Sequence, residues 1–279
     1  SMAGIDTDGS ATQGQLIHID MADVSIVAGG GSYGESRYTE DNVIGYGLFA
    51  GCSKLESIVM PDNVTVMERD ALRDCASLTS LTIPASVEDV TPSSGCVALA
   101  EILVSPANSH YRSEGGVLFN ADATGLVWFP MGKEGGYTLP ATVTSIDDYA
   151  FTGCKITNLI LPDELTDIGQ SAFYGCELEE VHMPDKLRQI PVGVFQGCQR
   201  LSTVYLGTGT ELVSDYAFDG CPLLHLYLSA SYPPVCRPDA FGHSAAEIFS
   251  SCVLHVPSDR LAMYKQDPEW GQFKHIVGL

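Results

Sequence analysis

Basic residues are scarce in this 279-residue chain: 14 Lys and Arg stand against 35 Asp and Glu, a formal charge of −21. A sequence-independent nucleic-acid binder needs cations to neutralise phosphates, so nucleic acid is not an expected partner. The same imbalance excludes attraction to an anionic lipid surface by charge. No apolar run reaches the roughly 18 residues that cross a bilayer, so no transmembrane segment is expected. No stretch combines the basic and apolar regions of a signal peptide. Ser1-Met2 reads as a cloning scar, so a leader trimmed away is compatible with that. H-E-x-x-H and the P-loop are both missing, and so are the close C-x2-C pairs that hold zinc. What is left is a folding composition: 45% apolar and 18% charged residues exclude a disordered chain.

The nine cysteines carry the organisation. Cys52, Cys75 and Cys96, then Cys154, Cys176, Cys198 and Cys221, recur at steps of 21 to 23 residues. A constant step of this size marks an internal repeat. Aligned units read GLFAGCSKLESIVMPDNV (47–64), YAFTGCKITNLILPDEL (149–165) and SAFYGCELEEVHMPDKL (171–187). Copies begin also at Asp70, Gly193 and Tyr216, with a degenerate one at 92–106. A final copy starts at Asp239, has Ser244 in the cysteine place and reaches Leu254–Val256 after an insertion. Each unit holds Ala-Phe before Gly-Cys, then an alternating apolar segment that usually stops at Pro. Alternation predicts a strand, and Pro ends it because it cannot donate to a ladder. Units this short cannot bury an apolar face alone, so they must stack. The expected fold is an α/β repeat of the leucine-rich-repeat solenoid kind, with roughly ten rungs. A parallel β-sheet runs along one side and short irregular or 3-10 segments lie opposite. It is mostly β and loop, with little helix.

The chain resembles the BspA-like leucine-rich repeat family. The resemblance rests on the recurring A-F-x-G-C and L-x-x-[IVL]-x-[LIM]-P elements, and on V-T-x-I, seen as Val143-Thr144-Ser145-Ile146. It extends from Leu16 to Leu279 and includes Gly-Gly-Val-Leu-Phe-Asn (115–120), Trp128-Phe129-Pro130 and Trp270…Phe273…Ile276. Leu72 and Ser93 depart from it in the Phe position, and Gly207 and Ser229 in the strand-ending Pro position. The resemblance implies a bacterial cell-surface or secreted, non-enzymatic protein, with adhesion to host proteins, matrix proteins or other cells.

Stacked side chains of a parallel sheet point the same way, whereas a disulfide needs converging Cβ atoms. The seven ladder cysteines are therefore expected as buried, reduced thiols. Cys236 and Cys252 lie off the ladder and are the one pair left open for a disulfide. Residues 1–15 read as a flexible lead-in, 16–257 as the solenoid and 258–279 as a C-terminal cap. Residues 28–42 read as a polar loop, and about 105–136 as an insertion containing a β-hairpin. In the cap, Ser258 is expected to N-cap a helix bearing Leu261 and Tyr264, and Asp267-Pro268 to start a turn that places Trp270 and Phe273 over the last rung. No cap is visible at the N-terminal end, so native sequence or another domain is expected before it.

Several motif matches fail on context. Gly30-Gly31-Ser32-Tyr33-Gly34 fits a nucleophile elbow, and Gly29, Gly31 and Gly34 fit a dinucleotide fingerprint. A strand-like Val24–Val27 precedes them, but no helical period follows, so both read as a glycine loop. Asn120-x-Asp122-x-Thr124-Gly125 mimics a calcium loop, yet Met131 stands where a bidentate Glu belongs, so a hairpin turn is expected.

The outward positions of the strands are more informative. One column reads Asp20, Val59, Thr82, Leu103, Thr138, Ile160, His182, Tyr205, Tyr227, His255. A second reads His18, Ser57, Ser80, Glu101, Asn158, Glu180, Thr203, His225, Val253. The C-terminal half thus concentrates Glu180, His182, Tyr205, His225, Tyr227 and His255. Tyr and His join a flat apolar body to a polar tip, which suits recognition of a partner. These six are the candidate ligand-binding patch, with a protein (host or matrix) or a glycan as its ligand. A structural spacer, in which the patch binds nothing, is the alternative. No catalytic residue, cofactor or metal is expected: a metal held by His182, His225 and His255 would need three rungs to converge.

Overall fold

The computed structural model describes residues 16–33 and 37–279. The lead-in 1–15 and Gly34 of the glycine motifs lie outside the described residues. The chain divides into two compact units, Ser1–Lys133 and Glu134–Leu279. Each is built of leucine-rich-repeat solenoid turns carrying parallel strands.

In the first unit His18–Asp20 pairs with Ser57–Val59, and Ser80–Ile83 with Glu101–Val104. In the second, Glu134–Thr138 pairs with Lys155–Ile160. Then Glu180–His182, Thr203–Leu206, His225–Leu228, Val253–Val256 and His275–Gly278 form a five-stranded sheet, parallel throughout. The alternation works as expected: Val181, Val204, Leu226 and Leu254 are buried, and their sequence neighbours within each strand face outward. The V-T-x-I elements form further parallel pairs of two-residue strands. These are Val43–Ile44, Val66–Met67 and Asp89–Val90 in the first unit. In the second they are Ser145–Ile146 with Asp167–Ile168, and Gln189–Ile190 with Leu212–Val213 and Val235–Cys236. Two residues are too short to show alternation, so sequence pattern marks this element only as a motif.

The A-F-x-G-C segments form tight turns whose backbone ties each rung to the next. Gly153, Gly175, Gly197 and Gly220 precede cysteines at φ between 66° and 76°, where an L side chain is strained. The phenylalanines stack in the core: Phe151, Phe173, Phe195, Phe218 and Phe241 follow at 5.0, 5.4, 5.8 and 5.8 Å between ring centroids. Where a cysteine follows one rung on, the Phe carbonyl accepts two hydrogen bonds. Phe173 O takes one from Cys176 N in its own turn at 3.2 Å and one from the Cys198 thiol of the next rung at 3.0 Å. Phe151 and Phe195 repeat the arrangement with Cys176 and Cys221 thiols at 2.9 and 3.0 Å. In the first unit Phe49 and Leu72 do so with Cys75 and Cys96 at 3.3 and 3.2 Å. All nine cysteines are reduced and buried, Cys236 and Cys252 included. Burial pushes the Cys75 and Cys176 thiols up and raises Cys96 to about 12, so these remain protonated donors.

Departures from the repeat are locally repaired. Leu72 fills the Phe position fully buried, and its amide donates to the hydroxyl of Ser93, the next occupant of that position. Ser244, in place of a cysteine, accepts from Gly220 N at 2.9 Å and leads into the helix Ala245–Ser251. The 105–136 segment contains Tyr111–Glu114, Val117–Asn120 and Gly125–Trp128 as an antiparallel set. Asn120 Oδ1 accepts from Thr124 N and Gly125 N at 2.9 and 3.0 Å, so the calcium-like sequence is a closed hairpin turn.

Three expectations change. Val24–Val27 is not a strand; the strand is Gly29–Tyr33, antiparallel to Arg37–Thr39, so the polar loop is itself a hairpin. Ser258 does not N-cap a helix, because its hydroxyl donates to the Leu279 carbonyl and a 3-10 turn, Ser258–Arg260, precedes the helix Leu261–Gln266. The cap also ends in a further strand, His275–Gly278. Asp267 does start the second turn, accepting from Glu269 N and Trp270 N at 2.9 and 3.0 Å. Trp270 is fully buried and donates to Pro234 O at 2.7 Å.

Phe195→Ala is expected to lower the unfolding free energy by about 3–5 kcal/mol in urea titrations, the cost of emptying a filled core site. Cys198→Ser keeps a donor aimed at the Phe173 carbonyl and is expected to be milder than Cys198→Val, which has none. Equal losses for the two cysteine variants would reduce the thiol to a filler.

Candidate functional site

Parallel register decides which outward side chains meet. In the five-stranded sheet His182 lies opposite Tyr205, Tyr205 opposite Tyr227, and Tyr227 opposite His255. With no stagger between rungs, four flat side chains leave the sheet in one row. Their rings stack: His182 on Tyr205 at 4.0 Å, Tyr205 on Tyr227 at 4.2 Å and Tyr227 on His255 at 4.1 Å, all within 10° of parallel. Stacked aromatic pairs contribute about 0.5–1.5 kcal/mol beyond area burial, so the rows brace one another.

The second outward column runs Glu180, Thr203, His225, Val253, His275. Two of its members, Glu180 and His225, contact the ring row. Glu180 Oε1 lies 2.7 Å from His182 Nε2, on the same strand. His225 Nδ1 lies 3.1 Å from His255 Nε2, one rung away. All six expected patch residues therefore sit on one face of one sheet. His182 and Glu180 are exposed, and Tyr205, His225, Tyr227 and His255 are half-buried by their neighbours.

The electrostatics follow from this crowding. Partial burial raises the Tyr205 phenol above its ordinary value, with Tyr227 and Glu180 adding in the same direction, so its hydroxyl is a donor at neutral pH. Partial burial pushes the His255 imidazole below its ordinary value, and nearby His225 adds to that. His182, His225 and His255 do not converge: His182 and His255 stand at opposite ends of the ring row. His275 and Val277 extend both columns onto the fifth strand. Sequence reasoning missed them by reading 258–279 as a cap, although His275-Ile276-Val277 alternates like every other rung. Elsewhere the column in line with the ring row is mostly small or aliphatic, as in Val59, Thr82, Leu103 and Ile160.

Comparison with known proteins agrees with the repeat. The model of the BspA type leucine rich repeat region matches residues 39–110 and 136–246 in six copies, and the chain belongs to that family. Among curated proteins there is no match. Among solved structures, a leucine rich cell surface protein from Faecalibacterium prausnitzii is similar at 22% identity and TM-score 0.63, covering 94% of this chain and 60% of its own. The pneumococcal vaccine antigen PcpA gives 20% and 0.61, covering 85% and 65%. A leucine-rich repeat protein from Eubacterium ventriosum gives 24% and 0.56, covering 68% and 58%. At these identities the likeness is one of fold, and the chain spans 58% to 65% of the length of those proteins.

The lowered His255 value gives a pH prediction. The folded chain binds this proton less readily than the unfolded one, so stability is highest above the ordinary value of 6.5 and falls as pH drops from there through the lower folded value. In an NMR titration the His255 ring is expected to protonate below that value, and His225→Gln to raise its midpoint. An unchanged midpoint would remove His225 as a cause.

Proposed function

We propose that this BspA-type repeat protein is a non-enzymatic docking module whose stacked His182–Tyr205–Tyr227–His255 row, with Glu180 and His225, binds a protein at the bacterial cell surface. The observation that carries this reading is the ring row itself: four near-parallel rings on one sheet face, with edges and polar tips outward. Tyr is over-represented among residues that dominate protein interfaces. Rings already held by stacking lose little freedom when a partner arrives, so less of the contact energy is spent on ordering.

The same geometry favours a protein over a glycan. A sugar stacks on an aromatic face, and here the interior faces are covered by neighbouring rings. The row offers edges, two phenol hydroxyls and imidazole nitrogens, which suit peptide carbonyls and side chains. The charge of −21 favours a partner with a basic surface and speeds its encounter. The cell-surface setting draws on family membership and on the likeness to the leucine rich cell surface protein of Faecalibacterium. Adhesion to host or matrix proteins is the form of binding that setting favours.

The test is binding to an immobilised panel of extracellular-matrix proteins, mucins and glycans, beside a His182→Ala/Tyr205→Ala/Tyr227→Ala variant confirmed as folded by circular dichroism. A protein ligand is expected, weakened by added salt and lost by about 30-fold or more in the variant, as for a hot spot above about 2 kcal/mol. A glycan hit lost in the variant would transfer the row to sugar binding. Absence of any hit, or a hit the variant retains, would leave the chain a spacer.

A further inference from the structure

Histidines are few in this chain, seven in 279 residues, yet three of them face outward from three consecutive strands. His225 lies on His225–Leu228, His255 on Val253–Val256 and His275 on His275–Gly278. The register places them as a triangle. His225, Val253 and His275 share one column across the three strands, and His255 is the next outward position on the middle strand. His255 therefore has a histidine diagonal to it on either side. We propose that His225, His255 and His275 bind a divalent transition-metal ion of the zinc class on this face.

Three observations support the assignment. First, the diagonal is already closed on one side, with His225 Nδ1 and His255 Nε2 3.1 Å apart. Two imidazoles can share a proton at that separation. It is also near the ~3.3 Å that two ligands keep around a tetrahedral ion with Zn–N bonds of about 2.0–2.1 Å. Second, the His255 ring is held in orientation by Tyr227, stacked on it at 4.1 Å and 9°. A ligand ring fixed by its neighbour loses less freedom on binding. Third, His275 is exposed and occupies the mirror diagonal, a separation that an aromatic side chain on a parallel rung can bridge by rotating. Among the described residues no three ligating groups are already converged, so the site is a preformed pair that recruits its third ligand. Water completes the shell.

Imidazole ligands select zinc, copper and nickel over calcium or magnesium, which take oxygen. The surrounding negative charge raises the local concentration of any cation. Glu180, the carboxylate in the same column, is two strands from His225 and is engaged by His182, so it is not counted as a ligand. The assignment is independent of whether the ring row docks a protein.

The experiment uses the tag-free 279-residue chain, stripped with chelator, titrated with Zn2+ by calorimetry and with Co2+ by visible absorption at about pH 7.5, where imidazole is mostly neutral. One ion per chain is expected, with the Co2+ spectrum showing the intense bands of a tetrahedral site. His225→Ala and His255→Gln are each expected to weaken Zn2+ by 10–100-fold or more, and His275→Ala by about tenfold, as loss of a ligand should at least match loss of an outer partner. His110→Ala, exposed and outside the five-stranded sheet, should bind as the parent does. Circular dichroism on each variant separates loss of binding from loss of fold. The proposal is overturned if the parent binds no tighter than a His225→Ala/His255→Gln double variant. Full affinity in His275→Ala would overturn the three-ligand site.

Discussion

A doubly accepting carbonyl holds this fold in register. In each regular turn one Phe carbonyl receives the amide of its own cysteine and the thiol of the cysteine one rung on. The two bonds close the turn and tie it to its neighbour at the same atom. A thiol suits this place because it is small, apolar enough for a full core and still a donor. A larger polar group would need more partners than the site has, and an apolar one would leave the rung-to-rung bond unmade. The residue before each ladder cysteine, glycine in six turns and Asp74 before Cys75, belongs to the same device, since the chain there adopts a left-handed φ.

The surface inherits its geometry from that core. Because successive turns are bonded without stagger, residues a repeat apart in sequence are stacked in space. Any ring placed at an outward strand position meets the ring of the next rung. His182, Tyr205, Tyr227 and His255 therefore become one row instead of four isolated side chains. The row braces itself, so this open sheet face carries a rigid array of rings. Contacts between the two columns then add a second level, where Glu180 meets His182 along one strand and His225 meets His255 across a rung.

Particular elements show how far pattern alone carries. The main strands and their outward columns were legible because a period of two repeats inside a period near 22, and each copy checks the others. The reduced cysteine ladder was legible for the same reason. The short V-T-x-I strands were not, because two residues leave no alternation to count. Ser258 was misread because its hydroxyl is taken by Leu279, a residue 21 positions away that no local capping rule includes. His275–Gly278 was hidden by the Trp270 and Phe273 that precede it, whose spacing reads as a cap. Val24–Val27 looked extended, yet the hairpin of Gly29–Tyr33 and Arg37–Thr39 supplies the pairing instead.

Repeat length, strand positions, inward and outward faces, and the columns that hold Glu180, His182, Tyr205, His225, Tyr227 and His255 follow from the order of residues. They do so because a stack of near-identical units converts sequence period directly into spatial neighbours. Ring-on-ring distances, the choice of His225 over His182 as the partner of His255, and the place of His275 beside them were decided only by tertiary structure. Those depend on diagonal reach between strands and on side-chain rotation, and neither leaves a trace in the spacing of letters.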